Sequence, residues 1–575
     1  MKINDVEKIT GLSQKAIRLY ESKGLISIAR DNNGYRNYSD DNVKTFELIK
    51  LLRNVGIAIT DIKLYLFGVV SIEEIISNRK SQIVKENGKS SSQYLACDSI
   101  VTKIANEELV TCEEFTETEE ICSESYGELA IGIDIGTTTV SATVIDISNK
   151  RQLESYSVEH NSYVCSGTKS EQDVSIILDK TERLLFHLIN SYSNICSIGI
   201  TGQMHGIVYI DKGGNSLSNL INWQDKRGDE ILECGKSASQ IIKDITFESI
   251  PTGYGIVSHY YNMVKGIVPK DATGICSIMD LFGMRICGLK KPITHTSVAA
   301  SLGMLDVEKS CFMWDKLSLL NIDKSFLPEV TDKSLIIGKC QGIPVSVAIG
   351  DNQASVLGSI KENSESILVN IGTGSQVSMI GDCYKSSPDI ESRPFIEGKY
   401  LLCGSALCGG YAYSMLESFF RSYTVSIGME EASQYSTVNS LASSAYKNGS
   451  EGLNVDVSFF GKRSDPLRRG SITNIDKESF TPSALALGVL KGMCRELYDL
   501  YSMFGITKTH MVASGGAVRK NPLLRQLLKD TFNMEISLNS TLEEAATGAA
   551  LLSALAIGKI KYENGFAEFI SYEEK

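Results

Sequence analysis

Asp134 and Asn370 stand 236 positions apart at corresponding places in two similar runs, and both runs are suited to holding phosphate. LAIGIDIGTTTVSATVIDI, from residue 129, leads through Asp134 into a turn with Gly136, Thr137, Thr138 and Thr139; ILVNIGTGSQVSMIG leads through Asn370 into Gly372, Thr373 and Ser375. Glycines let backbone N–H groups approach an anion, and the hydroxyls add donors. Two such turns on opposite walls of a cleft would grip the phosphates of one nucleotide. A third run, HMVASGGAVRKNPLLRQLL at 510–528, reads as a strand, a Gly515-Gly516 turn and a helix capped by Asn521 with Pro522 in its first turn. A glycine pair before a helix N-terminus admits a flat ring or an anion. A fourth, VSVAIGDNQASVLGSI, runs a buried strand into Asp351, the expected N-cap of a small-residue helix, where the dipole favours a charged carboxylate.

These turns need strands to carry them. The chain has 575 residues, enough for three or four domains, with 42% hydrophobic and 22% charged residues, as in ordinary globular proteins. The longest small-apolar stretch, AATGAALLSALAIG at 545–558, is too short for a bilayer crossing, and MKINDVEKIT has no apolar signal core, so a cytoplasmic protein is expected. The 14 cysteines are scattered without a CxxC pair and read as reduced thiols rather than a zinc site or disulfide framework. The net charge is −12 but uneven: residues 1–70 hold 11 Lys+Arg against 8 Asp+Glu, so a basic head precedes an acidic body.

In the head, VEKITGLSQKAIRLYESKGLI reads as two short helices joined at Gly11, the second capped by Ser13. Gln14, Lys15 and Arg18 project from the second helix, where a recognition helix meets DNA, and Ile17 and Leu19 are expected in the core. ARDNNGYRNYSDDNV makes a wing with Tyr35, Arg36 and Tyr38, and helices follow at about 40–54 and 60–67. Ser71-Ile-Glu-Glu74 is a capping box that opens a further helix, and 107–124 carries eight glutamates. Residues 69–127 are expected to form a helix and an extended acidic linker that tethers the head without packing it.

The strings ITGLSQKAIRLYESKGLI, NGYRNYS and LIKLLRNVGIAITDIKLYL resemble the winged helix-turn-helix head of MerR-family transcription regulators. The resemblance implies double-stranded DNA as a partner, Arg18 and Tyr20 at the DNA backbone, Arg36 and Tyr38 holding the wing to phosphate, and a homodimer.

The four runs of the body, in their order, resemble the FGGY family of carbohydrate kinases, as do GQMHG at 202–206, NWQDKRG at 222–228, CGGYAY at 408–413 and TLEEAATGAALLSAL at 541–555. The implied fold is α/β, with two ribonuclease-H-like (actin-like ATPase) domains around a cleft, at 128–362 and 363–575, behind a small helical DNA-binding domain at 1–68. NWQDKR, TGYGIVSHYY, TSVAASLGMLDV and FFGKRSDPLRRGSI resemble the sedoheptulokinase branch, and QMHG is shared with xylulokinases. The implied reaction is phosphorylation of a ketose by ATP and Mg²⁺. Asp351 matches the base, beside Asn352 and Gln353, and Asp134 the carboxylate that helps place the metal. Met204 and His205 match the sugar-contacting pair, with Trp223, Gln224, Asp225 and Arg227 as a polar and aromatic strip. Gly136, Thr137, Thr138, Gly372 and Thr373 would line the phosphates, and Gly410, Gly515, Gly516 and Asn521 the adenosine. The family commonly has Lys or Arg where this chain has Ser141.

Overall fold

The computed structural model describes residues 1–30, 35–87, 94, 96–97, 100, 126–361, 365–372, 374–541, 543–562 and 566–573. Thr373 and most of the expected acidic linker fall outside the described residues.

The two large sheets of the body share a central topology, a hairpin with a parallel strand beside it. In the first, β1 (Leu129–Ile135), β2 (Thr139–Asp146) and β3 (Arg151–Glu159) form an antiparallel meander, and β4 (Ile195–Gly202) joins β1 in parallel. With β5 (Ile336–Cys340) and β6 (Ile343–Ser346) the order is β5-β6-β4-β1-β2-β3. The second sheet comprises β7 (Ser366–Ile371), β8 (Ser375–Gly381), β9 (Ile390–Pro394), β10 (Tyr400–Ala406), β11 (His510–Ser514) and β12 (Glu535–Leu538), in the order β9-β10-β8-β7-β11-β12. Again a hairpin, β7–β8, carries the turn, and a parallel strand, β11, lies on its other side. The internal repeat of the sequence is therefore a duplicated fold, the paired actin-like arrangement.

β1 reads as an almost continuous apolar run because both its faces are covered. Helix α6 (Val174–Ser191) packs in the core with it, while the small-residue helix α11 (Glu544–Ala556), from the chain's far end, lies across β1 and β4. A side chain at Gly132 would place its Cβ 1.8 Å from the Ala546 carbonyl oxygen, so the helix meets the strand backbone directly. Among the helices between α6 and α11 in the chain are α7 (Thr296–Leu302), α8 (Asp351–Leu357), α9 (Gly409–Ser426) and α10 (Pro522–Phe532). Helices α8 and α11 pack against each other in a core that includes Ala130 and Ile145 of the first sheet and Leu368, Leu401 and Val512 of the second. This shared core joins the two lobes at the base of the cleft.

The head consists of α1 (Ile3–Thr10), α2 (Gln14–Ser22), α3 (Asp40–Asn54) and α4 (Ile59–Leu66), followed by α5 (Ile72–Asn87). Ser13 caps α2 as expected, accepting from the Ala16 N–H at 3.2 Å. Ile17 is fully buried, but Leu19, expected in the core, is 43% exposed, because it faces away from α1 and α3.

The expectation of a tethered head is corrected. Leu64 and Val69 enter the core of the first lobe, and the Phe67 ring lies 4.3 Å from that of His187. Lys63 pairs with Glu154 at 2.9 Å, Lys180 with Glu74, and Arg183 Nη1 donates to the Gly68 carbonyl at 3.3 Å. The apolar end of α4, which looks like head core in the sequence, has its partners about a hundred residues away. Replacing Glu154 by Gln leaves the Lys63 ammonium, only 12% exposed, without its counter-charge. That change should destabilise docking by about 1–2 kcal/mol, seen as faster hydrogen exchange over residues 59–87 with the lobe's own sheet unaffected.

Candidate active site

Register places the first carboxylates. Asp134 lies opposite Thr201 of β4, and Thr201 opposite Ile349 of a short parallel strand that runs directly into α8. Asp134 and Asp351 thus share the carboxyl edge of the parallel strands, where open α/β sheets bind ligands. Asp351 is the first residue of α8, not its N-cap. Gly350 is the cap, with extended φ −61° and ψ 147°, and the Asp351 Oδ1 accepts from the Asn352 N–H at 2.6 Å. Burial pushes the Asp351 carboxyl upward, against the pull of Arg393.

Asp134 is pushed up to about 7 by burial, with repulsion from Asp351 and Glu543 added. Its buried Oδ1 has no partner among the described residues. No three acids or histidines among the described residues stand close enough to ligate a metal by themselves. An orphaned carboxylate oxygen within electrostatic range of two more acids nevertheless fits a single contact to a divalent cation, which would relieve the repulsion. Ser141, where the family commonly has a cation, lies opposite Asp134 in the hairpin; its hydroxyl bonds Ser157 at 2.8 Å and faces Glu543.

The first Gly-Thr turn is held from behind. Gln203 donates to the Gly136 carbonyl at 3.2 Å, Gln172 to the Thr137 carbonyl at 2.7 Å, and the His160 N–H to the Thr138 carbonyl at 3.1 Å. Gly136 N–H closes the turn on the Thr139 carbonyl, while the N–H groups of Thr137 and Thr138 meet no acceptor among the described residues. They are free to bind an anion. Trp223, 47% exposed, donates from Nε1 to Thr137 Oγ1 at 3.1 Å, so the expected sugar strip reaches the first Gly-Thr turn.

Met204 and His205 follow β4 into the same region. A Cβ built on Gly350 would lie 2.9 Å from the Met204 sulfur, which places the thioether against the start of α8. His205 has φ 73°, its ring centre lies 4.1 Å from that of Tyr254 with the planes tilted by 39°, and its Nδ1 lies 2.9 Å from the Ser301 carbonyl. Burial, reinforced by Arg393, lowers its pKa to about 4, so the ring is neutral at pH 7. A carbonyl only accepts; Nδ1 therefore carries the proton and Nε2 is left to accept from a hydroxyl.

Asp225 is displaced from the expected strip. It has no exposed surface, and its oxygens accept from Arg227 at 2.8 and 3.0 Å and from the Ser170 N–H at 2.9 Å, so it braces Arg227 rather than reaching a ligand. Arg227 also holds Glu171 and Asn262, and Gln224 accepts from the Tyr163 hydroxyl.

The second wall gathers around Gly372. The Gly410 N–H donates to its carbonyl at 3.1 Å, and a Cβ on Gly515 would lie 2.4 Å from the Ile371 carbonyl oxygen. Gly515 has φ 95°, and Gly516, next to it, faces open space. Asn521 caps α10 as expected, accepting from the Leu524 N–H at 3.1 Å, while its amide donates to Asn439. A short helix, Gly516–Lys520, capped by Gly515, precedes α10.

Three residues that sequence reasoning missed stand on the second lobe. Glu391 and Arg393 alternate along β9 on one face, and Arg463 comes from the FFGKRSDPLRRG run. Arg393 Nη2 and Arg463 Nη1 both donate to Glu391 Oε2, at 2.9 and 3.2 Å. Burial alone would raise Glu391; Arg393 and then Arg463 outweigh it and hold the carboxyl at about 2. For Glu391 and Arg393 the E-x-R spacing is the only sequence signal, and it is common in any strand; Arg463 lies in a run that carries a family resemblance but no assigned role.

In the head, Lys15 and Arg18 are exposed on α2. Arg36 is exposed but pairs with Glu21 at 2.7 Å. Tyr20 and Tyr38, expected at DNA phosphates, are 7% and 1% exposed and pack among Ile17, Phe46 and Ile49; the Tyr38 hydroxyl is itself buried and does not reach the surface.

Residues 129–358 match the N-terminal domain of the FGGY family of carbohydrate kinases, and residues 367–557 its C-terminal domain. The chain belongs to the FGGY family of carbohydrate kinases. Residues 1–67 match the MerR HTH family regulatory protein profile, so this FGGY kinase carries a MerR-type head. It is 25% identical to sedoheptulokinase of Mus musculus over 478 residues, 74% of this chain and 97% of the relative. It is 26% identical to xylulose kinase of Staphylococcus xylosus over 486 residues, 77% and 94% of the two chains. The crystal structure of gluconate kinase from Lactobacillus acidophilus superposes with a TM-score of 0.66 at 22% identity, covering 78% of this chain and 93% of that one. This likeness confirms the FGGY fold, two lobes around a cleft.

Proposed function

We propose that this FGGY kinase transfers the γ-phosphoryl group of ATP to a ketose, sedoheptulose foremost and xylulose next, and that its head binds double-stranded DNA. The carrying observation is Asp351, a partly buried carboxylate on the first turn of α8 at the sheet edge it shares with Asp134. The sugar hydroxyl oxygen attacks the γ-phosphorus, the bond to the β–γ bridging oxygen breaks with its electron pair leaving on ADP, and Asp351 takes the hydroxyl proton. Such a transfer asks the protein for alignment and charge rather than covalent chemistry. Asp134 would hold Mg²⁺, which supplies charge neutralisation at the phosphates. His205 Nε2 accepts from a sugar hydroxyl, and Thr137 and Thr138 bind phosphate through their free N–H groups, with Gly372 on the facing wall and Gly410, Gly515, Gly516 and Asn521 at the adenosine end. ADP release measured with sedoheptulose, xylulose, ribulose, glycerol and gluconate tests this reading; no turnover on any of them overturns it.

The docked head and Ser141 favour a second reading, a MerR-type regulator whose kinase body senses sugar or nucleotide. Saturable sugar binding without turnover would select it. Either reading needs the head on DNA. Arg18→Ala should weaken binding to a two-fold site and reduce the slope of log affinity against log salt by about 1, measured by fluorescence anisotropy across a salt series.

A further inference from the structure

The cluster on β9 lies where no sequence motif placed a ligand contact. β9 is the edge strand of the second sheet, and it rests on the first lobe: α7 packs against it, and the Gln353 side chain of α8 donates to the Pro394 carbonyl at 2.9 Å. Arg393 is thereby carried across the base of the cleft into the surroundings of Asp351, His205 and Tyr254, all of which feel its charge. It is 7% exposed. One arm of its guanidinium is anchored on Glu391, which Arg463 holds from the other side, and Ser464 N–H on Asp389 at 3.0 Å pins the Arg463 loop to the start of the strand. The other arm, Nη1, is buried and has no partner among the described residues.

A buried, unsatisfied guanidinium N–H is costly unless something arrives to accept from it. Its location beside the proposed base limits what that is. Arg393 and Arg463 carry two positive charges, Glu391 and Asp351 two negative ones, and His205 is neutral. Those four charges cancel, and Asp134 and Glu543 beyond them add only negative charge, so an uncharged, oxygen-rich ligand fits, whereas a sugar acid would add an anion next to Asp351.

We propose that Arg393 is a specificity-determining substrate contact: its Nη1–H donates to an oxygen of a neutral sugar, with Glu391 and Arg463 holding the guanidinium in position. The inference rests on the kinase reading for its substrate class and reaches beyond it by assigning half of the sugar site to the second lobe.

The test uses the full chain with Arg393→Met, Arg393→Lys and the charge-balanced pair Glu391→Gln with Arg393→Met, which leaves no unpaired carboxylate if the single variant folds poorly. Losing a donor built to meet a substrate oxygen should raise KM for sedoheptulose or xylulose about tenfold or more, with KM for ATP within about twofold of wild type. Arg393→Lys should recover part of the loss, and poor use of gluconate should be unchanged in every variant. Sugar binding by calorimetry is measured in parallel. If the wild type binds a ketose but turns none over, the kinase reading fails, while loss of that binding in the Arg393 variants still supports the contact. An unchanged sugar KM and Kd in the charge-balanced variant, equal rises in the sugar and ATP constants, or no ketose binding by the wild type would overturn it.

Discussion

Asp351→Asn should reduce kcat by about 10²–10⁴-fold while leaving the sugar Kd within about threefold of wild type. Asparagine keeps the shape and the hydrogen bond from the Asn352 N–H, but it has no lone pair basic enough to take the hydroxyl proton. Proton removal is needed late in a loose phosphoryl transfer, so the loss falls on turnover rather than on binding. The pH profile gives a second readout of the same group. Burial raises the folded-state pKa, and the carboxyl works as a base only when ionised; activity should therefore rise with pH through a midpoint above the ordinary aspartate range. Single-turnover ADP formation, followed from pH 4 to 8 beside calorimetric sugar titrations, checks both. Full turnover in the asparagine variant would remove Asp351 as the base.

The parts of this site that were readable in the sequence are those made by consecutive residues. An apolar run followed by Gly-Thr-Thr can be only a buried strand ending in a donor-rich turn, and its reappearance at Asn370 predicted the duplicated sheet. Asp351 was legible as a carboxylate at a strand-to-helix junction, but the cap was misassigned by one residue because Gly350 can adopt the extended cap geometry with no side chain to announce it. Tyr38 and Asp225 were misplaced for another reason. A phenol beside Arg36 and a carboxylate beside Arg227 look the same in sequence whether they face a ligand or the interior; only burial separates the cases. Arg393 and the docked head were invisible because each depends on elements far apart in the chain: β9 on α7 and α8, and the end of α4 on β3 and α6.

The base of the cleft should be the least tolerant place in the molecule. Gly548 of α11 lies against α8, and a Cβ there would sit 1.8 Å from the Ala354 carbonyl oxygen, well inside contact distance of rigid helical backbone. No rotamer change relieves a clash that begins at Cβ, so the helices must separate. Separation opens the core that α8 and α11 share with both sheets and shifts Asp351, three residues from Ala354, away from the edge it shares with Asp134. Gly548→Val should therefore cost about 3 kcal/mol or more of stability, and any folded fraction should have lost turnover. Gly516→Ala provides the contrast, since nothing lies within 4 Å of the added carbon and the backbone there has no positive φ; its folding stability should stay within about 0.5 kcal/mol of wild type. Thermal midpoints of the two variants measured side by side decide the matter. A Gly548→Val protein that melts with the wild type would mean that the two helices are not the rigid floor on which the catalytic carboxylate stands.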